Sequence, residues 1–306
     1  MMASLRFAWA LAVLAIASPA VARNCTRAER ADGDRWTQLS TRDYAGSIRR
    51  NLPWGLPVAT TPPSNERLVV LTEYVNQFDD DLLIPLWSAE RLASARLDTV
   101  RSRINCFRPH PRVLPESDLG DDYDDPTYDQ GHLTPSDDQS TSVRAMVNTY
   151  FYTNMAPQFG PFNRVTWRRL EAVVHDWARP RRTLYVITGS ILDRDNDGLR
   201  DSDLVAQRVQ PRHGRPARVA IPTAFYKIIA YRRTDGRIAT LSIALPHNAT
   251  SLTGRALGQH FKDHVTTISA LERATGLDFF PNATEIVEET DFCVFADGAP
   301  RSLCSP

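Results

Sequence analysis

The chain has 306 residues, 42% hydrophobic and 24% charged, the values of an ordinary globular protein rather than a disordered, fibrous or membrane-embedded one. Its 36 basic and 36 acidic side chains give a formal net charge of zero, which excludes the global basic excess of a tight, salt-sensitive nucleic-acid binder. The cations are nearly all arginine, with only Lys227 and Lys262 as lysines; phosphate binding and a GC-rich genome explain that bias equally well.

In chain order, Arg6, the apolar run over residues 7–17 and the small-residue site Ala20-Val21-Ala22 read as a secretory signal peptide spanning residues 1–22. That reading implies a secreted or periplasmic protein. The run is shorter than the ~20 apolar residues of a spanning helix, no second candidate follows, and no membrane partner is expected. In an oxidising compartment Cys25, Cys106, Cys293 and Cys304, which include no C-x-x-C pair, are disulfides rather than metal ligands. Cys293 with Cys304 closes a short C-terminal loop, and by subtraction Cys25 pairs with Cys106.

Residues 23–63 form a polar, proline-containing arm with one helix near 41–51, and residues 64–306 form one domain. Residues 68–74 (LVVLTEY) and 82–91 (LLIPLWSAER) are β-branched and apolar and predict strands, with Pro85 marking an edge or a bulge. Arg96, Arg101, Arg103, Arg108 and Arg112 make the most basic stretch, and an acidic loop (ESDLGDDYDDPTYD) follows it. Residues 140–152 predict a short helix entering a strand. Asn163 or a neighbour starts a helix through Trp177, with Val165, Leu170, Val173, Val174 and Trp177 as its apolar stripe. TLYVITG at 183–189 is a buried strand. Residues 218–231 are a strand that turns and continues, and 238–244 pairs back across 233–236. Residues 267–275 are helical. Hairpins with interspersed helices argue for an α+β domain with an antiparallel sheet flanked by helices.

The polar residues concentrate between Tyr128 and Glu171. Hydrolysing a phosphodiester needs a base for water, a cation to stabilise developing charge, and donors that hold the phosphate. His132 suits the base, because an imidazole with a pKa near ~6.5 is available neutral at physiological pH. Gly131 before it leaves space for a substrate backbone, and Asp129 orients the loop or caps a turn. Asn154 and Asn163 offer the neutral oxygens that suit a hard divalent cation such as Mg²⁺. On a helix, Glu171 lies ~80° round and about two turns along from Asn163, within reach of a water on that metal. Taken singly, Asn163 reads equally as a helix N-cap and Glu171 as a surface partner of Arg168 or Arg169.

DQGH at 129–132, TNMAPQ at 153–158 and NRVTWRRLE at 163–171 closely resemble the secreted DNA/RNA non-specific endonucleases of the ββα-metal (His-Me finger) type. The likeness continues through TLYVITGSI, IPTAFYKII and LERATGL. The resemblance implies a Mg²⁺- or Mn²⁺-dependent endonuclease acting on DNA and RNA. In it His132 is the general base, Asn163 the direct metal ligand, Glu171 its partner through water, and Asn154 a supporting residue. Arg103 would stabilise the phosphate, with Arg101 as a substitute. The departure is Gln130, where the family usually has arginine; Gln donates a hydrogen bond but carries no charge.

Asp193, Asp195, Asp197 and Asp201 follow calcium-loop spacing around Gly198, although Leu204 stands where the twelfth-position carboxylate belongs; structural Ca²⁺ and a plain solvated loop are balanced readings. The remaining histidines show no metal-ligand spacing. Two other readings stay open: a phosphodiesterase acting on nucleotides or short oligonucleotides, and a catalytically weak calcium-binding protein that keeps the fold. A homodimer is left open as a partner.

Overall fold

The computed structural model describes residues 22–60, 65–94, 97, 102–113, 119–179, 183–212, 214–248, 251–295 and 301–304. The segment read as a signal peptide lies outside them apart from Ala22, as do Arg96, Arg101 and His213. Among the described residues no helix is long and apolar enough to cross a membrane.

The body is a mixed α+β structure built on an eight-stranded sheet. Its spatial order is Val265–Thr266, Ile238–Pro246, Ala224–Arg232, Thr183–Ile191, Ile84–Ala93, Tyr74–Asp79 and Glu66–Val70, every pair antiparallel. The short Ile286–Glu288 strand adds in parallel to Ile238–Pro246. The central strands are buried on both faces, so they read as apolar runs rather than alternations. Register places Ser88, Glu90, Thr188 and Lys227 on one face. On the other face Trp54 stacks edge-on against Tyr185 and Phe280.

Residues 68–74 do not form one strand. The chain turns at Thr72 and Glu73, Leu71 N donates to Tyr74 O (3.0 Å), and a second strand runs Tyr74–Asp79. Neither turn residue has positive φ, so the Gly or Asn that flags favoured hairpin turns is absent. Pro85 sits opposite a register shift between Gln77 and Phe78, the bulge of the two alternatives its position allowed, inside the sheet. The expected strand over 218–224 is only an isolated bridge, Arg208 to Ala220. The regular strand begins at Ala224.

Residues 22–60 are stitched to the body. Arg23–Asn24 pairs with Ile104–Asn105, Cys25 bonds Cys106, and Cys293 bonds Cys304. A helix Arg27–Arg35, absent from the sequence reading, starts with a capping box between Thr26 and Glu29. The expected helix is present at Thr41–Asn51, and Val58–Ala59 pairs with Leu277–Asp278. The acidic loop is tied down by arginines from residues 212–218. Asp121 pairs with Arg215 (2.9 Å), Asp124 with Arg212 (2.5 Å) and the buried Asp122 with Arg218. The basic stretch is not one patch. Arg108 is 2% exposed, bonds Asp34 (2.8 Å) and the carbonyls of Cys106 and Val147, and lies 3.8 Å over Phe151.

Candidate active site

The site is a hairpin followed by a helix, laid on the polar face of the sheet. Tyr128–His132 pairs antiparallel with Met155–Phe159, with Gln130 opposite Pro157 and Gly131 opposite Ala156. Gly131 is required by packing rather than by a substrate: a Cβ there would stand 2.3 Å from the fully buried Gln158 side chain. At the hairpin's exit Asn154 is completely buried. Its Oδ1 accepts from Thr134 N (3.0 Å), and its Nδ2 donates to the carbonyls of Thr134 and Thr149 (2.9 Å each). Asn154 therefore clamps the backbone behind His132 and has no hydrogen-bonding capacity to spare on that nitrogen. Thr134 in turn bonds Ser88 on the sheet (2.8 Å).

His132 ends the first strand and is 8% exposed. Its ring packs edge-on against Tyr150 at 4.6 Å and 89°, and Nε2 is buried without a hydrogen-bond partner. Burial, with the Arg103 guanidinium as a second cause, holds the imidazole pKa well below the ordinary value, so the ring is neutral at physiological pH. Arg103 is placed by a bond from Nε to Asn105 Oδ1 (3.1 Å) and by the Tyr150 ring 5.7 Å beneath it.

The helix begins with a π-wound turn, Phe162–Trp167, that runs into the α-helix Arg168–Ala178. Such turns recur at functional sites. The wider winding changes the angle between Asn163 and Glu171 that a pure α-helix would give. Asn163 is not the N-cap: Pro161 holds that position with no side-chain cap bond. Instead Asn163 Nδ2 donates to Asp129 Oδ2 (2.9 Å), while Arg164 Nε and Nη2 bond the same carboxylate at 2.9 and 2.5 Å. An ionised carboxylate only accepts, so the amide orientation is chemically forced and the Asn163 oxygen is the atom turned elsewhere. Asp129 thus holds the Asn163 and Arg164 side chains, a contact that neither of its sequence readings, loop orientation beside His132 or a turn cap, anticipated.

His132, Asn163, Glu171, Arg103 and Gln130 line one cleft of about 180 Å³, together with Pro135, Ser136, Asp137, Arg164 and Arg168. Glu171 is partly exposed toward it, yet burial pushes its carboxyl up to about 8, with Lys227 opposing and Asp138 and Asp137 reinforcing the rise. Below lies a polar layer that periodicity could not reveal. Lys227, 1% exposed, donates to Thr188 Oγ1 (2.7 Å), Gln139 donates to the buried Glu90 (2.7 Å), and His175 Nδ1 lies 2.7 Å from Asp138 Oδ1. Arg164 and Arg168 were missed as cleft residues because each reads singly as a solvated helix face; their i, i+4 spacing was the available signal.

The donor set fits a hard divalent cation. A directed amide oxygen, a carboxyl in the same cleft and no sulfur or free imidazole pair match oxygen-seeking Mg²⁺ or Mn²⁺. Among the described residues the carboxylates of Asp193, Asp195 and Asp197 also lie within 4.8 Å of one another, and Asp197 heads the causes that raise the Asp195 pKa. Asp201 is not in that group; its carboxylate accepts from Arg194 N at 2.6 Å, because the loop folds back on its own backbone. Asp193 likewise accepts from Asp197 N and Gly198 N.

Residues 57–285 match the family model described as DNA/RNA non-specific endonuclease. The chain is 30% identical over 219 residues to a mitochondrial nuclease of Saccharomyces cerevisiae, covering 67% of this chain and 63% of that protein. It is 29% identical over 239 residues to the mitochondrial nuclease EXOG of Danio rerio (76% and 66%) and 29% over 231 residues to mitochondrial endonuclease G of Homo sapiens (75% and 72%). The chain thus spans just under two thirds of the length of the yeast and fish proteins. The mitochondrial names of these relatives overturn the expectation of a secreted or periplasmic protein. That expectation rested on one early arginine, an apolar run and a small-residue site alone, and residues 1–21 lie outside the described residues. The matched span contains the whole hairpin and helix of the cleft, and its members depend on a divalent metal: the chain belongs to the DNA/RNA non-specific endonuclease family.

Proposed function

We propose that this chain is a Mg²⁺-dependent, sugar-non-specific endonuclease that hydrolyses phosphodiester bonds of DNA and RNA, with Mn²⁺ as a substitute metal. The observation that carries the reading is the convergence, in one cleft, of a neutral buried imidazole with an unpartnered nitrogen, a directed Asn163 amide, Glu171 and Arg103. The arm over 23–63 and the nuclease domain over 64–306 are part of the same proposal.

In this mechanism His132 takes the proton from the attacking water, which its depressed pKa permits because the ring is unprotonated when the substrate arrives. Asn163 would hold the cation through its amide oxygen and Glu171 through a water, and the bound cation supplies positive charge to the phosphate and to the leaving oxygen. Arg103 donates to the non-bridging phosphate oxygens, held ready by Asn105 and Tyr150. Asp129 keeps the Asn163 amide facing the right way, and Asn154 keeps the backbone after His132 in register. Nothing in this set reads a base or a 2′-hydroxyl, which supports action on both polymers.

The test incubates the protein with plasmid DNA and with RNA in Mg²⁺ or in EDTA, beside His132→Ala. Both polymers should be cut only with metal, and His132→Ala should lose on the order of 10²–10⁴ in rate, the range for a general base. No metal-dependent cleavage of either polymer would sink the reading, and full activity in His132→Ala would overturn the base assignment.

A further inference from the structure

The catalytic cleft opens into a second, larger one of about 520 Å³, and the two share Pro135, Asp137, Arg168 and Glu171. They are one groove with a waist. The larger chamber runs along a single face of the Arg168–Ala178 helix, since Arg168, Ala172, His175 and Arg179 follow one another at helical spacing.

Among the described residues three guanidinium groups border the catalytic cleft, and they are not equivalent. Arg164 is committed to Asp129 by two bonds. Arg103 is bonded to Asn105 and seated over Tyr150. The Arg168 side chain is exposed and, among the described residues, forms neither a hydrogen bond nor an ion pair, while its backbone N–H bonds the carbonyls of Asn163 and Val165. It stands at the waist itself. Asp137 shares the waist, and beyond it the chamber is walled by Asp138, which lies 2.7 Å from His175, and by Asp176, which pairs with Arg179 (2.9 Å). Carboxylates outnumber guanidinium groups along this wall, which disfavours a phosphate but accepts hydrogen bonds from base amino groups and sugar hydroxyls. A polynucleotide alternates just these two kinds of group, one anionic and one rich in donors. A strand laid through the groove is therefore sorted by charge: a phosphate at Arg168, its nucleoside in the chamber.

We infer that Arg168 and the chamber beside it form a flanking-nucleotide subsite, in which the Arg168 guanidinium grips the phosphate next to the scissile one. This rests on the nuclease reading above. It is tested by direct binding, with His132→Ala as a non-cleaving platform and a fluorescent single-stranded DNA 12-mer as the probe, across a salt series. Adding Arg168→Ala should weaken binding about tenfold and lower the slope of log affinity against log salt by about 0.7, the value for one phosphate contact on a single strand. Arg168→Lys should restore the slope, because the charge returns without the fork geometry. Arg237→Ala, in a distant turn ion pair with Asp235, should change neither. In the cleaving enzyme Arg168→Ala should raise KM on the polymer more than it lowers kcat.

An unchanged salt slope in Arg168→Ala overturns the inference, and so does a loss confined to kcat, which would place Arg168 on the scissile phosphate. These failures are distinct from failure of the nuclease reading. That would appear in the unmodified protein as no metal-dependent cleavage, with this binding series still able to report whether Arg168 meets a phosphate.

Discussion

Replacing Asp129 by asparagine separates what orients the proposed metal ligand Asn163 from what holds the fold. Asp129 accepts one bond from Asn163 and two from Arg164. The ion pair is poorly shielded, with side-chain exposures of 70% for Arg164 and 18% for Asp129, so it contributes no more than about 1 kcal/mol to stability. The bond to Asn163 matters differently. As a charge-assisted bond of about 1.5–3 kcal/mol it biases the amide toward one orientation by a factor of roughly 10–150. Removing such an orienting partner typically costs about 10–100-fold in metal affinity. An asparagine at 129 can donate or accept, so the bias disappears while the shape is kept. The assay is cleavage rate against Mg²⁺ concentration, with unfolding followed in parallel. Asp129→Asn should raise the half-saturating Mg²⁺ about 10–100-fold, recover most of its rate at saturating metal, and unfold within about 1 kcal/mol of the unmodified protein. Arg164→Ala, which leaves the Asn163 bond in place, should shift the metal titration little. Superimposable metal titrations for Asp129→Asn and the unmodified protein would refute the orienting role.

Asn154→Ala should act on the fold first: it leaves the Thr134 N–H and two carbonyls without their partner inside a fully buried site, at about 1–3 kcal/mol for each orphaned group. Urea unfolding would measure it, and a loss under about 1 kcal/mol would contradict the clamp. His247 accepts from Phe159 N (2.8 Å) and lies 2.7 Å from Pro222 O through its other nitrogen, and burial brings its pKa down to about 4. The unfolded imidazole takes up a proton near ~6.5, so the unfolded state binds more protons between those values. Stability then falls as pH drops from about 6.5 to 4, by about 3 kcal/mol for this group. In His247→Gln that part of the slope should vanish, and a slope equal to that of the unmodified protein would refute the assignment. Gln130→Arg adds a cation to the cleft wall and should raise turnover; an unchanged or lower rate would show that the charge is already supplied, with Arg103 as the group in place.

Much of the fold was legible because its signals are local. The Thr41–Asn51 helix, the Thr183–Ile191 strand and the Ala224–Arg232 and Ile238–Pro246 hairpin follow from apolar runs and a turn at 233–236. The Arg27–Arg35 helix escaped because it buries little apolar surface; its mean character is polar and its only buried residue is Gly33. The Tyr128–His132 strand escaped because five polar or small residues resemble a turn, and its partner lies beyond a helix in the chain.

By itself the sequence picked out residues that the fold brings to one cleft, His132, Asn163 and Glu171, and the family that their motifs resemble is the one matched over residues 57–285. Tertiary structure alone decided their states. The pKa of His132 and of Glu171, the direction of the Asn163 amide and the inward turn of Arg108 each depend on partners brought from about 30 to 74 residues away. Desolvation and hydrogen bonding act through space, and a linear motif records which groups are present but not which of them face one another.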